Sequence, residues 1–278
     1  MSTRKDGSMA QSTTTTWDML KATLDNILGR LYNYHGATQK PETGTEPVWT
    51  APSNLPEGTT SPQEYFLHYF QSQSSVPTKN ECVTTAAVMG MNIMKDRAAS
   101  GNLGPVQFIS NLSLKEYTSN LDKRGILGWK YRIQTGIPIF EGMMTPWQAV
   151  LALRDHAKKT KKDHGRSYKA RLSPRCTVND LINNLKQGNI MLIHGAWGIK
   201  LATAIKDRHL PFIGGMPHTM LLVGYDPGTD HWLILDPARN LPPTIRHMKT
   251  EELIKDFWGR KFLFYPPRFS VIVINPDQ

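Results

Sequence analysis

The spacing of apolar residues changes character twice along the chain. Through roughly the first 60 positions Thr, Ser, Pro and Gly dominate, from "STTTT" to "KPETGTEPVWTAPSNLPEGTTSP", a composition that forms loops and linkers. One island interrupts it. Trp17, Leu20, Leu24, Ile27, Leu28 and Leu31 recur at three- and four-residue steps behind Thr16, which predicts an amphipathic helix over about 16–34. Its polar face mixes Asp18, Lys21, Asp25 and Arg30, which suits a protein surface better than a membrane. From about residue 62 the pattern is globular, beginning with the helical "SPQEYFLHYFQSQ". In the run that starts at Cys82, the residues Val83, Ala86, Ala87, Val88, Met89, Met91, Ile93 and Met94 cover most of a helix circumference, so that helix belongs inside a domain. "TPWQAVLALRDHAKK" opens with Thr145 as cap and Pro146 at the first helical position, and "TVNDLINNLKQGN" runs from Thr177 to a stop at Gly188. Beyond Gly188 come short runs of β-branched, leucine and aromatic residues divided by Gly, Pro and Asp: "NIMLIHG", "HTMLLVGY", "HWLILD", "KFLFYP" and "FSVIVIN". Helices first and strands afterwards predict an α+β domain with a mostly antiparallel C-terminal sheet. The chain thus divides into a flexible N-terminal segment with one helix, residues 1–61, and a single domain, residues 62–278.

The position of Cys82 at the head of a buried helix raises a chemical question. A first helical turn keeps unpaired N–H groups and the positive end of the peptide dipole, an environment that favours an anion and suits a nucleophilic thiol. The hairpin around "DPGTD" supplies partners. If Asp226 to Asp230 form its loop, Tyr225 faces His231, Met220 faces Asp236, and His218 lies one two-residue step from Met220 on the same side. His218 and Asp236 then share a face as diagonal neighbours with Cβ atoms roughly 7–8 Å apart or less, a gap a hydrogen bond can close. A slip of one residue would separate them. With Cys82 packed against that face, the thiol would attack an acyl carbon, His218 would move the proton, and Asp236 would orient the imidazole. The Cys82 backbone N–H and a side-chain amide just upstream would receive the oxyanion.

Composition narrows the setting. Two cysteines do not make a disulfide framework, so a reducing compartment is the simpler expectation. No run approaches the ~18 apolar residues of a membrane span, and the N-terminus lacks a signal-peptide core, which predicts a cytoplasmic chain, with a non-Sec export route as the alternative. The net charge of +10 would suit an anionic partner. Its densest cluster, "RDHAKKTKKDHGR", lacks the interleaved aromatics of a nucleic-acid platform and reads as a solvated helix end. His194, His231, Asp226 and Asp230 have no metal-motif spacing, so neither metal nor organic cofactor is expected.

Two segments carry a family resemblance. "NECVTTAAVMGMN" resembles the nucleophile segment of C39-like cysteine peptidases of the papain-like superfamily, and "GGMPHTMLLVGYDPGTDHWLILDPA" is similar to their His segment, strand, turn, strand and Asp-Pro ending. The resemblance spans roughly Gln71 to Ile274 and implies a papain-like fold with a Cys82–His218–Asp236 triad and a thioester acyl-enzyme acting on a peptide or protein. Two features depart from it. Cys82-Val83-Thr84 replaces the usual Cys-Gly-Pro, and no glutamine stands shortly before Cys82; Asn80 is the nearest amide, with Gln73 and Gln71 further back, so Asn80 and Gln73 are the oxyanion candidates. His194 and Trp197, ending a strand on the sheet's working edge, and Gly214 and Gly215 are candidates to line the substrate cleft. A transglutaminase-like acyl transferase would use the same triad, and a catalytically silent fold would bind a peptide or partner protein through the cleft.

Overall fold

The computed structural model describes residues 46–73, 81–100, 106–108, 144–197, 216–238, 243–259 and 269–277. All of them belong to one of the chain's two compact units, Gly36–Gln278. The expected helix over 16–34 and the strand "KFLFYP" lie outside the described residues.

In chain order the elements are β1 (Val48–Trp49), α1 (Pro62–His68), α2 (Cys82–Ser100), α3 (Pro146–His164), β2 (Tyr168–Ser173), α4 (Val178–Lys186), β3 (Ile190–Trp197), β4 (Met216–Asp226), β5 (His231–Leu235), β6 (Arg246–Lys249), α5 (Thr250–Glu252) running on as a π-helical turn (Leu253–Trp258), and β7 (Val271–Pro276). The helix starts are where their capping residues put them. Ser61 accepts from the Glu64 N–H, while Thr145 with Gln148, and Thr177 with Asp180, form reciprocal capping boxes.

The strands form a seven-stranded sheet in the order β2-β7-β3-β4-β5-β6, with β1 off this path and paired with β4, and every pairing is antiparallel. Alternate residues feed two cores. Ile190, Leu192, Leu221, Leu235, Ile272 and Ile274 pack with α1, α2 and α3, whereas Met191, Ile193, Met220, Ile234, Val271 and Val273 pack with α4 and the Leu253–Trp258 turn. Covering both faces explains why these strands read as continuous apolar runs instead of alternating ones. It also explains α2, whose residues from Cys82 to Met94 are all buried between the sheet and its neighbouring helices. Cys82 and Cys176 belong to different cores and are both free thiols. Among the described residues no helix is long and apolar enough to cross a membrane.

Three strands were not visible in the sequence pattern. In β2, "YKARLS", Lys169 and Arg171 face solvent, so the basic run before it masks the strand. β6 is an edge strand of four residues with Met248 alone fully buried. β1 lies in the stretch whose composition suggested a linker, yet it pairs with Gly224 and Tyr225 of β4. Behind it the Thr50 N–H and hydroxyl both donate to the Val223 carbonyl, at 3.0 and 2.9 Å. The Arg97 guanidinium reaches the Thr50 carbonyl at 2.6 Å, and Trp49 stacks on Phe66 at 5.9 Å. The ordered fold therefore begins upstream of residue 62.

At Gly195 of β3 the layer above comes close to the strand backbone. A Cβ there would lie 2.6 Å from the Phe257 carbonyl oxygen and 2.8 Å from its ring, so the π-helical turn sits directly on the strand backbone. Gly195→Ala is expected to destabilise the fold by about 1–3 kcal/mol, because the nearest obstacle is backbone and cannot swing aside. Urea unfolding followed by tryptophan fluorescence measures this; a loss within a few tenths would mean that the turn yields.

Candidate functional site

The β4–β5 hairpin positions two of the site's side chains, by a route the sequence reading did not contain. At the turn Asp226 pairs with His231 and Tyr225 with Trp232, one residue away from the expected register. Asp226 is the last strand residue and organises the turn, accepting from the Gly228 N–H at 2.9 Å and the Thr229 hydroxyl at 2.6 Å. Between Leu222 and Gly224 the register shifts by one residue, a β-bulge, so that Leu222 pairs with Ile234 and Leu221 with Leu235. Continued one step, that register sets Met220 opposite Asp236 as expected. The offset at the turn and the bulge cancel. Gly224 suits this place because a Cβ on it would lie 2.9 Å from the Val48 carbonyl oxygen.

His218 and Asp236 thus share a face, and His218 Nε2 lies 2.7 Å from Asp236 Oδ1. The side chains are 8% and 3% exposed, so water does little to screen the pair. Asp236 Oδ1 also accepts from the Ala238 N–H at 3.0 Å, and Oδ2 accepts from Arg246 Nη1 at 2.8 Å. Burial favours the neutral acid, yet His218, Arg246 and the Ala238 N–H outweigh it and hold the Asp236 pKa at about 2. An ionised carboxylate only accepts, so His218 Nε2 carries the proton of their bond. Cys82 stands at the first position of α2 and its thiol acts on the same ring, of which Nδ1 is the nitrogen not engaged by Asp236. Burial opposes the charged imidazolium, but the hydrogen bond to Asp236, then Cys82, overcome it and raise the His218 pKa to about 9.

The remaining candidates divide. Gln73 donates its backbone N–H to the Pro237 carbonyl at 2.8 Å, which ties it to the residue after Asp236. Its side-chain Oε1 is buried with no hydrogen-bond partner among the described residues. His194 does not face His218: it is Gly195 that pairs with His218, while His194 Nδ1 meets the Thr219 hydroxyl at 2.9 Å. Burial pushes the His194 pKa down to about 3, so it is neutral and serves the packing of β3 on β4. Trp197 does reach the site region, with Arg246 stacked over its ring at 4.3 Å and Phe257 at 4.9 Å. Asn80, Gly214 and Gly215 lie outside the described residues.

Arg246 and Phe257 are the residues sequence reasoning missed. Phe257 meets the His218 ring edge-on at 6.3 Å and fills the space above Gly195. Arg246 stands in "PPTIRHMK", where the preceding prolines hide the short strand. Asp226 and Asp230 serve the turn, Asp230 accepting from the Tyr225 and Thr250 hydroxyls. Among the described residues no cluster of His, Cys, Asp and Glu has the makings of a metal site.

No family model and no curated protein matches the chain. Among solved structures it is similar to one from Bacillus anthracis described as a "putative C39-like peptidase", with 12% identity and a TM-score of 0.40 over 76% of this chain and 97% of that one. A likeness of that size is too slight to argue function from, and the geometry of the site has to carry that argument.

The two ionisations set a window for stability. The His218 pKa stands above its ordinary 6.5, so its ion pair contributes fully below about pH 6.5 and is lost as pH rises through about 9. The Asp236 pKa stands below its ordinary 3.8, so that contribution is complete above about pH 3.8 and is lost as pH falls through about 2. Wild-type stability measured by urea unfolding is expected to decline between pH 6.5 and 9 by an amount on the order of 3 kcal/mol, a decline largely absent in His218→Gln. Parallel curves for the two proteins would show that the pair is not ionised as described.

Proposed function

We propose that the chain is a cysteine peptidase or amide hydrolase built on a papain-like scaffold, with Cys82, His218 and Asp236 as its triad. The observation that carries this reading is the buried His218–Asp236 pair, Nε2 to Oδ1 at 2.7 Å, with Cys82 at the N-terminus of α2 near enough to act on the imidazole. In the reaction, Cys82 Sγ bonds to the acyl carbon as a thiolate, its proton having passed to His218 Nδ1. His218 returns a proton to the departing amine as the C–N bond breaks, leaving a thioester. Water, deprotonated by His218, then attacks the thioester carbon and releases the acid with the free thiol. Asp236 keeps the proton on Nε2 throughout and stabilises the imidazolium. The Cys82 backbone N–H, in the first turn of α2, is the candidate first donor to the developing oxyanion, and the Gln73 side chain is the candidate second. The substrate is a peptide or protein amide. No metal or organic cofactor is needed for these steps.

Two thiols in one chain provide an internal comparison. Burial pushes the Cys176 thiol up, and its S–H donates to the Ser173 carbonyl at 3.5 Å, so it is a poor nucleophile. Iodoacetamide at about pH 6, with peptide mapping of the native protein, is expected to label Cys82 at least tenfold faster than Cys176, and His218→Ala is expected to remove that preference. An acyl-type probe should be carried on Cys82 in the mass spectrum, with Cys82→Ala inert and Asp236→Asn slowed but still active. If Cys82 resisted alkylation until unfolding and bound no acyl probe, it would be a core residue and the hydrolase reading would fall. Incorporation of added amine into the product, in place of water, would redirect the reading to acyl transfer.

A further inference from the structure

Asp236 is flanked by two cations, and the triad has use for one of them. The hydrolase reading accounts for His218 on Oδ1; it leaves Arg246 on Oδ2 without a task. Resting on that reading, we propose that Arg246 is a positioning residue, which shares the Asp236 carboxylate with His218 and so sets how tightly the imidazole holds its proton.

Three features of Arg246 support the assignment. Its own placement is fixed: the guanidinium lies 4.3 Å over the Trp197 ring, and its second nitrogen, Nη2, reaches Glu252 Oε1 at 3.3 Å. An arginine side chain held on three sides loses the rotamer freedom that would let it leave the carboxylate. Its bond is to the far oxygen. With Oδ2 on Nη1 at 2.8 Å and Oδ1 on the Ala238 N–H at 3.0 Å, the carboxylate cannot rotate away from His218. Finally, its charge opposes that of the imidazolium. The side chain is only 18% exposed, so its field reaches Asp236 with little screening.

Among the described residues the charged groups around the pair are few. Asp236 faces His218 and Arg246; His218 faces Asp236 and Cys82, with the uncharged Phe257 ring alongside; Arg246 faces Asp236 and Glu252. A carboxylate serving His218 alone would bind the imidazolium too tightly for easy return of the proton to a leaving amine. Arg246 draws off part of that charge, and Glu252, being 40% exposed, restores a smaller part. The triad is therefore tuned by a chain of alternating charges, His218–Asp236–Arg246–Glu252.

Imidazole NMR of the full-length, histidine-labelled protein tests this without a substrate, with His218 assigned from the signal lost in His218→Ala. Arg246→Gln is expected to raise the His218 titration midpoint by about one pH unit. Arg246→Lys, which keeps the charge and loses the planar fork, should move it by less than half as much. Glu252→Gln should move it the other way, by a few tenths of a unit. A merely structural Arg246 would lower the melting temperature of Arg246→Gln and leave the midpoint where it was, which overturns the proposal. Should Arg246→Gln not fold, the sign of the Glu252→Gln shift decides: downward supports the proposal, unchanged or upward rejects it. Failure of the hydrolase reading looks different, since Cys82 alkylation would then be indifferent to His218→Ala while the midpoint shifts persist.

Discussion

A carboxylate taken out of water costs several kcal/mol unless its oxygens are hydrogen-bonded and its charge is met. Asp236 meets both conditions from four directions: the imidazole, a backbone N–H, a guanidinium, and behind them the aromatic rings that hold two of those donors still. Each of those donors comes from a different stretch of chain. His218 stands near the start of β4, Ala238 follows β5, and Arg246 opens β6, while Trp197 and Phe257 arrive from β3 and the last helical turn. The geometry of five segments is thus tied to one buried charge, and removing any one donor would leave the carboxylate partly unsatisfied.

What aims Asp236 at His218 is the bulge at Val223. If the pairing at the turn ran on unbroken, Asp236 would stand opposite Leu221 and share its face, on the side of the helices and away from His218. The extra residue turns the rest of β5 over relative to β4. β1 continues onto the bulged residue, since Thr50 gives two hydrogen bonds to the Val223 carbonyl from the side of β4 away from β5. A two-residue strand in Thr- and Pro-rich sequence thus lies against the residue that decides which way the Asp236 carboxylate points.

This is also where sequence reading reaches its limit. The helix caps at Thr145 and Thr177 and the doubly covered strands are set by neighbours in sequence and by period, so they could be read directly. The meeting of His218 and Asp236 was reached through a hairpin one residue out at the turn, and only the unseen bulge made the result agree. Gly224 is the local hint of a bulge in "LLVGYD", but the Thr50 contact beside it comes from 173 residues away and has no local signal. Arg246 was invisible for the same reason: its meaning is given by Asp236, Trp197 and Glu252, and an arginine in a short edge strand ordinarily faces water. His194, ending an apolar strand near the working edge, looked like a cleft residue, but strand alternation turns it to Thr219, and its neighbour Gly195 takes the place opposite His218.

The same alternation explains why a glycine stands at that place. A side chain on Gly195 would point to the face where His218 lies, and the Phe257 carbonyl already fills that space at 2.6 Å. The tight contact lets Phe257 approach both the His218 ring and Trp197, which in turn supports Arg246. A missing side chain on β3 is thereby converted into lateral support for the imidazole and for the cation that balances its carboxylate. Cys82, which also acts on the imidazole, is anchored by a helix whose residues from Cys82 to Met94 are all buried, so it cannot easily shift. Rigid supports suit the proposed role, in which His218 passes a proton between a sulfur and a leaving amine, because proton transfer depends on donor and acceptor staying within hydrogen-bond reach.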